Sequence, residues 1–290
     1  MITEINGTVI AENILDTVVQ RARAVETARG RRPSVAVVLV GEDKPSHLYV
    51  SLKQKAAHSV GVDFHVYRFQ ADESPAAVEE AVRFLASDAD VDAILIQLPL
   101  PEGFDTDALI EAMGHEKDVD GFHKESRAAF LRGTHSIPPV FPQALLTMAR
   151  EATELDGRRA ALIVNSPMFG EVLSAACTRA GMTPHLVPSE KLACLQAATM
   201  SADVIFVACG TPGILTSKYV KPNAVIIDGG ITVVDGRAVG DVDVESFRKE
   251  QKDVTVSPVP GGVGPVTIAC LLANVVTLAE RSLASSSPQD

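Results

Sequence analysis

Two rhythms of apolar positions take turns along this chain: short β-branched runs of strand type, and longer stretches at helical spacing. Residues 34–40, SVAVVLV, are a β-branched run stopped by Gly41, the mark of a strand. Residues 64–69 and 93–97 predict two more strands, the second stopped by Pro99 and Pro101. Helical spacing predicts helices over 10–28, 46–60 and 75–87, the last with Pro75 in its first turn. Residues 101–142 keep neither rhythm and carry several Gly and Pro, so they read as a looser connection. A helix over 143–151 and a turn at Asp156-Gly157 follow, and the alternation then starts afresh. Strands are expected at 160–164, 184–187, 204–208, 224–228 and 254–256, with helices between the first three. A final apolar helix covers 266–279.

This alternation is the pattern of an α/β protein with parallel sheets. Two blocks, each with its own sheet, imply two domains with a ligand-binding cleft between them. Composition adds that the core is aliphatic, since Trp is absent and only 10 Phe and 3 Tyr occur. A net charge of −11 argues against nucleic-acid or anionic-membrane partners, which select Lys/Arg-rich surfaces. Cys177, Cys194, Cys209 and Cys270 are scattered, so they read as small apolar fillers in a reducing compartment, with no metal site. The start, MITEINGTVIAEN, has acidic and polar residues where a secretory signal needs a basic start and an apolar run. No run of about 18 apolar residues is apparent, which predicts no membrane span and a cytoplasmic protein. Residues 284–290 are small and polar and are expected to fray.

The chemistry concentrates in SHLYVSLKQK (46–55). Tyr49 and Lys53 are four apart, which places a phenol and an amine on one helix face. By spacing alone, a solvated surface helix is the simpler reading. Short-chain dehydrogenases use the same Tyr-x-x-x-Lys, but they need a glycine-rich loop after the first strand. Here that strand runs into Gly41-Glu42-Asp43-Lys44, with no glycine pair to cradle a pyrophosphate.

Context changes the reading. SHLYVSLKQKAAHSVG, ILIQLPLP (94–101), KDVDGFH (117–123) and PVPGGVGP (258–265) occur in that order. In this the chain resembles the bifunctional methylenetetrahydrofolate dehydrogenase/cyclohydrolase family over nearly its whole length. The resemblance implies a folate-binding catalytic domain over 1–142 plus 266–290 and a Rossmann-like NAD(P)-binding domain over 143–265. It implies that Lys53 is the general acid/base, that Gln97 tunes it, and that Tyr49 lies against the folate ring. Asp120 is implied to hydrogen-bond the pterin, with Pro260, Gly261, Gly262 and Thr267 lining the junction of folate and nicotinamide. The implied reactions interconvert 5,10-methylene-, 5,10-methenyl- and 10-formyl-tetrahydrofolate, with NADP as cofactor and a homodimer as the assembly. A Lys beside a forming methenyl cation is pushed toward its neutral form, which is a competent base.

The implied cofactor residues are Asn165, Ser166, Gly170, Ser189, Gly210 and Ile231. The family's loop is roughly Gly-x-Ser-x-x-Val-Gly-x-Pro, and here only Ser166 and Gly170 match it. Val164, Phe169 and Val172 replace the other residues, and the bulk added by Val164 and Phe169 bears on the pyrophosphate site. Glu190 stands where a 2′-phosphate is expected, with Lys191 beside it, so NADP, NAD and no productive binding stay open. Val140-Phe141-Pro142 likewise replaces the family's Cys-Thr-Pro. Hydride transfer depends on this loop and hydrolysis does not, so cyclohydrolase activity follows more directly than dehydrogenase activity. The alternatives are a cyclohydrolase-only enzyme, a folate- or nucleotide-binding protein that has lost catalysis, and an unrelated Rossmann dehydrogenase.

Overall fold

The computed structural model describes residues 1–134, 137–194 and 196–286. The expected fraying at the C-terminus falls largely outside these residues. The chain divides into two compact units, one of residues 1–11 with 141–267, the other of residues 12–140 with 268–290. The sequence reading had grouped residues 1–11 with the other unit; they lie with the later block because of a short strand.

That strand, β1 (Ile2–Glu4), opens the chain and is followed by α1 (Gly7–Arg29), β2 (Ser34–Val40), α2 (Lys44–Ser59), β3 (Asp63–Phe69), α3 (Pro75–Ser87) and β4 (Ala93–Ile96). Next come α4 (Thr106–Met113), α5 (Lys124–Arg132), α6 (Val140–Ala152), β5 (Arg159–Val164), α7 (Pro167–Arg179), β6 (Thr183–Pro188) and α8 (Gln196–Ser201). The chain continues through β7 (Val204–Ala208), β8 (Ala224–Asp228), β9 (Thr232–Val234), β10 (Arg237–Val239), α9 (Val244–Lys249), β11 (Val254–Val256) and α10 (Val263–Ser286).

In the unit of residues 12–140 and 268–290, β3-β2-β4 form a three-stranded parallel sheet. All seven residues of β2 are buried, as its unbroken apolar run requires. Val78, Val82 and Leu85 recur at helical spacing on α3 and pack on Ala36, Val38, Ile94 and Ile96. α4 adds Leu109, Ile110 and Met113 to this core. α4 and α5 lie within the stretch expected to be loose. At 8 and 9 residues they are too short to show a period, yet their caps are written in the sequence. Asp105 accepts from Asp107 N and Ala108 N, His123 accepts from Glu125 N, and Gly114 and Gly133 close the ends. Arg29 anchors α1 by pairing with the buried carboxylate of Asp92, which also accepts from Ser34 N at 2.8 Å.

In the other unit, six strands form one parallel sheet in the order β1-β11-β8-β7-β5-β6. β1 was hidden by its length and polarity; it pairs Ile2 with Val254 and Glu4 with Val256 at the sheet edge. The core is aliphatic as expected, with Ile163, Ile205, Val207 and Ile226 wholly buried. β9 and β10 form a separate antiparallel hairpin that the sequence reading did not contain.

α10 corrects one expectation. Its stretch Val263–Ala284 is long and apolar enough to cross a membrane, though 61% of the best window is buried inside the fold, as in the core helix of a globular protein. Cys194 is a second correction: it is exposed, whereas Cys177, Cys209 and Cys270 are buried as expected.

Candidate active site

Asp43 starts α2 by accepting from Ser46 N at 2.9 Å and Ser46 Oγ at 2.7 Å, with Pro45 in the first turn. This cap fixes where the helix begins and hence which side chains share a face. Val50 and Ala57 are buried, and Tyr49 and Lys53 sit at the border between core and solvent.

Lys53 does not point into open solvent. Its Nζ donates to Gln97 Oε1 at 2.9 Å, across 44 residues of sequence. Gln97 is held from both sides: its backbone N–H donates to Val38 O at 2.9 Å and its Nε2 to Leu98 O at 2.7 Å. With Nε2 engaged, the amide oxygen is the end that faces the amine. Desolvation lowers the Lys53 pKa below its ordinary value, and the Asp120 carboxylate opposes that shift. Asp120 moves the other way, up to about 6, chiefly through burial, with Lys53 lowering it and Asp118 raising it. Burial thus drives both groups toward their neutral forms, while the charge of each opposes the shift of the other. Tyr49 is also raised by desolvation.

The segment bearing Asp120 is placed by β4. Ile94 N donates to Lys117 O at 2.8 Å, and residue 118 runs parallel to Ile94. Asp118 is 2% exposed and accepts from Gly121 N, Phe122 N and His123 N at 2.8–3.2 Å. Asn274 of α10 donates to Val119 O at 3.0 Å and to Pro138 O at 3.0 Å. Sequence reasoning named only the second Asp of Asp118-Val119-Asp120-Gly121, yet the first shapes the turn. Its signal was an Asp shortly before a glycine, a residue type whose short side chain bonds nearby backbone N–H groups in turns.

The candidate nucleotide residues occupy the other unit, at the carboxyl ends of β5, β6 and β7. β5 lies between β6 and β7, so the chain leaves β5 to one side and returns on the other. Open parallel sheets bind ligands at such a switch point. Ser166 caps α7 there by accepting from Phe169 N at 3.3 Å. Asn165 Nδ2 donates to Cys209 O at 2.7 Å, and Thr232 Oγ1 to Gly210 O at 3.2 Å. The Ser189 hydroxyl reaches Cys209, whose thiol burial pushes up to about 12. Ile231 is exposed beside Thr232. Gly210 has a φ of +63° and open space over its α-carbon. Asn165, Ser166, Ser189, Gly210 and Ile231 therefore gather at one end of the sheet. Gly170 is different: a methyl there would meet Leu186 and Val164, so it serves helix–sheet packing.

The bulk that set this loop apart has a partner. The Phe169 ring stacks on Phe141 with centroids 5.3 Å apart and planes at 26°. Two departures from the family pattern thus form one contact, which takes up the added volume. The residues present fit a dinucleotide: a capped helix N-terminus at the switch point, and an open glycine beside it.

Pro260, Gly261, Gly262 and Thr267 also belong to this second unit, apart from Tyr49 and Asp120. Val259-Pro260 is cis, and Thr267 Oγ1 donates back to Val263 O at 3.0 Å. Among the described residues, no group of three or more His, Cys, Asp or Glu is placed to hold a metal ion.

Comparison with known proteins agrees over almost the full chain. The family model described as tetrahydrofolate dehydrogenase/cyclohydrolase, catalytic domain, matches residues 5–120, and that of its NAD(P)-binding domain matches residues 139–283. The bifunctional protein FolD of Bordetella bronchiseptica is 40% identical over 282 residues, covering 97% of this chain and 98% of that protein. The crystal structure of the bifunctional FolD dehydrogenase/cyclohydrolase from Campylobacter jejuni superposes with a TM-score of 0.88 at 31% identity, covering 97% and 99% of the two chains. The Trypanosoma brucei enzyme, solved with NADP cofactor and an inhibitor, gives 0.90 at 28% identity, covering 98% and 99%.

Proposed function

This chain belongs to the tetrahydrofolate dehydrogenase/cyclohydrolase family, and from that premise we propose that it oxidises 5,10-methylenetetrahydrofolate with NADP and hydrolyses the methenyl product to 10-formyltetrahydrofolate. The observation that carries the reading is the Lys53–Gln97 bond at 2.9 Å, on an amine whose pKa is lowered next to Asp120.

Lys53 is the general acid/base. Water adds to the methenyl carbon as the neutral amine takes a proton from it. The amine returns that proton to the ring nitrogen as the carbon–nitrogen bond opens, and the remaining hydroxyl proton leaves to solvent. Gln97 orients the amine without adding charge, which matters because a fixed cation opposes the cationic substrate. Asp120 accepts from the donors of the pterin, and Tyr49 packs against its ring. Pro260, Gly261, Gly262 and Thr267 are proposed as further substrate contacts.

NADP, when bound, supplies the hydride acceptor. Ser166 and the α7 N-terminus would hold its pyrophosphate, Asn165, Gly210 and Ile231 its nucleoside parts, and Ser189 with Lys191 its 2′-phosphate. The stack of Phe169 on Phe141 supports this over a cyclohydrolase-only reading, because it gives the Phe169 ring, part of the bulk that raised that alternative, a packing partner. A homodimer in the cytoplasm, acting on folates with neither nucleic acid nor membrane, completes the proposal. The test is to give purified protein methylenetetrahydrofolate with NADP or NAD and follow methenyl formation by absorbance. Turnover with NADP at the lower KM is expected; no turnover with either nucleotide contradicts the dehydrogenase assignment.

The pH dependence follows from the Asp120 shift. Its folded pKa, about 6, lies above the ordinary 3.8, so the carboxylate is lost as pH falls through about 6. Hydrolysis should therefore decline on the acid side near pH 6, and a pH–rate profile flat from 5 to 8 contradicts this role for Asp120. The same shift means that the folded state binds more protons than the unfolded state between these values. This group's contribution to stability then rises as pH falls from 6 toward 4.

A further inference from the structure

Two carboxylates that the reaction does not use are buried in the nucleotide-binding unit. Asp241 is 0% exposed, and its Oδ2 accepts from Cys209 N at 2.6 Å and Gly210 N at 3.1 Å. Its Oδ1 accepts from Thr211 N at 2.6 Å. Asp228, 3% exposed at the end of β8, accepts from Gly230 N, Asp241 N and Val242 N at 2.9–3.1 Å. Space around the pair is closed: a methyl on Gly230 would enter the Asp241 carboxylate, and one on Gly240 the Asp228 carboxylate.

A buried carboxylate is costly, and filling the same volume with an apolar side chain is often neutral or better for stability. What an apolar side chain cannot do is accept from three successive backbone N–H groups. The turn that Asp241 gathers, residues 209–211, begins at the carboxyl end of β7 and holds Gly210 at φ +63° with free space above it. Asn165 and Thr232 bond to the carbonyls of the same turn. Asp228 in turn holds the backbone of Asp241 and of Gly230, next to Ile231.

We propose that Asp241 is a positioning residue for the dinucleotide, fixing the 209–211 turn in the shape that receives it, with Asp228 bracing Asp241 from below. This rests on the NADP-dependent reading above. Neither residue touches the reacting atoms; both act through backbone.

The test compares wild type with Asp241→Asn, which keeps the volume but replaces one acceptor oxygen with a donor. The KM for NADP should rise about 10–100-fold, the scale of losing a hydrogen bond to a charged acceptor. The rate at saturating NADP and nucleotide-free methenyltetrahydrofolate hydrolysis should stay near wild type, which a general loss of structure would not allow. Amide exchange in the 209–211 peptide should quicken while that of β5 stays slow. Thr232→Val, which removes only the bond to Gly210 O, is the milder variant should the first not fold, with KM up about 2–5-fold. An unmoved KM beside normal wild-type turnover overturns this inference alone, as does a parallel fall in hydrolysis. A wild type that reduces no NADP overturns the parent reading and this inference with it.

Discussion

Replacing Lys53 by Met is expected to slow methenyltetrahydrofolate hydrolysis about 10²–10⁴-fold, the usual contribution of a positioned acid/base. Met keeps the length and the apolar stem but has no proton to move. Binding of NADP should be unchanged, since the nucleotide residues lie in the other unit. Stability should hold or rise, because the buried amine is held below its ordinary pKa by desolvation, a cost that Met does not carry. Lys53→Arg separates two roles. Arg keeps the positive charge but does not release its proton in a protein, so a variant that lacks a base stays slow while one that needs only a cation recovers. Hydrolysis at wild-type rate in Lys53→Met removes the amine from the mechanism.

The second large effect is expected at Gly7, the first residue of α1. Its N–H donates to Gly261 O at 3.0 Å, and a methyl on its α-carbon would run into the Gly262 and Gly261 carbonyls. The segment cannot back away. Ile5 N donates to Val256 O at 3.0 Å, and β1 is in register with β11 just before it. Gly7→Ala must then push the glycine-rich turn after β11 out of place, at a cost of about 1–3 kcal/mol, the usual range for overpacking. Because Pro260, Gly261 and Gly262 are proposed to contact substrate, its KM for methylenetetrahydrofolate should rise along with the loss of thermal stability. Calorimetry and steady-state kinetics check both; wild-type values for each leave the close approach without consequence.

What could be read before the fold was known followed from signal length. β2 and the core of the six-stranded sheet were legible because their β-branched runs are long and unbroken. β1, three residues with only Ile2 apolar, carries no period at all. α4 and α5 lack the length for a period, and only Asp105, His123 and the closing glycines betrayed them. In the candidate site, Tyr49 and Lys53 share a helix, so local spacing pairs them. Gln97 and Asp120 come to Lys53 only through the packing of β4 beside β2, and the family resemblance stood in for that knowledge. Asp118 left only the weak signal of an Asp shortly before a glycine, and Asp241 escaped notice because it acts on backbone N–H groups, which leave no trace in residue type. Phe169 was visible as added bulk, but its stack with Phe141 needed the fold.

The central claim concerns the proton affinity of one amine. A pH titration of the Lys53 Nζ chemical shift, with Lys53→Met to assign the signal, measures it directly. The account predicts a midpoint below 10.5, the ordinary lysine value, moving further down in Asp120→Asn as the opposing carboxylate charge is lost. A midpoint at or above 10.5, unmoved by that substitution, contradicts it.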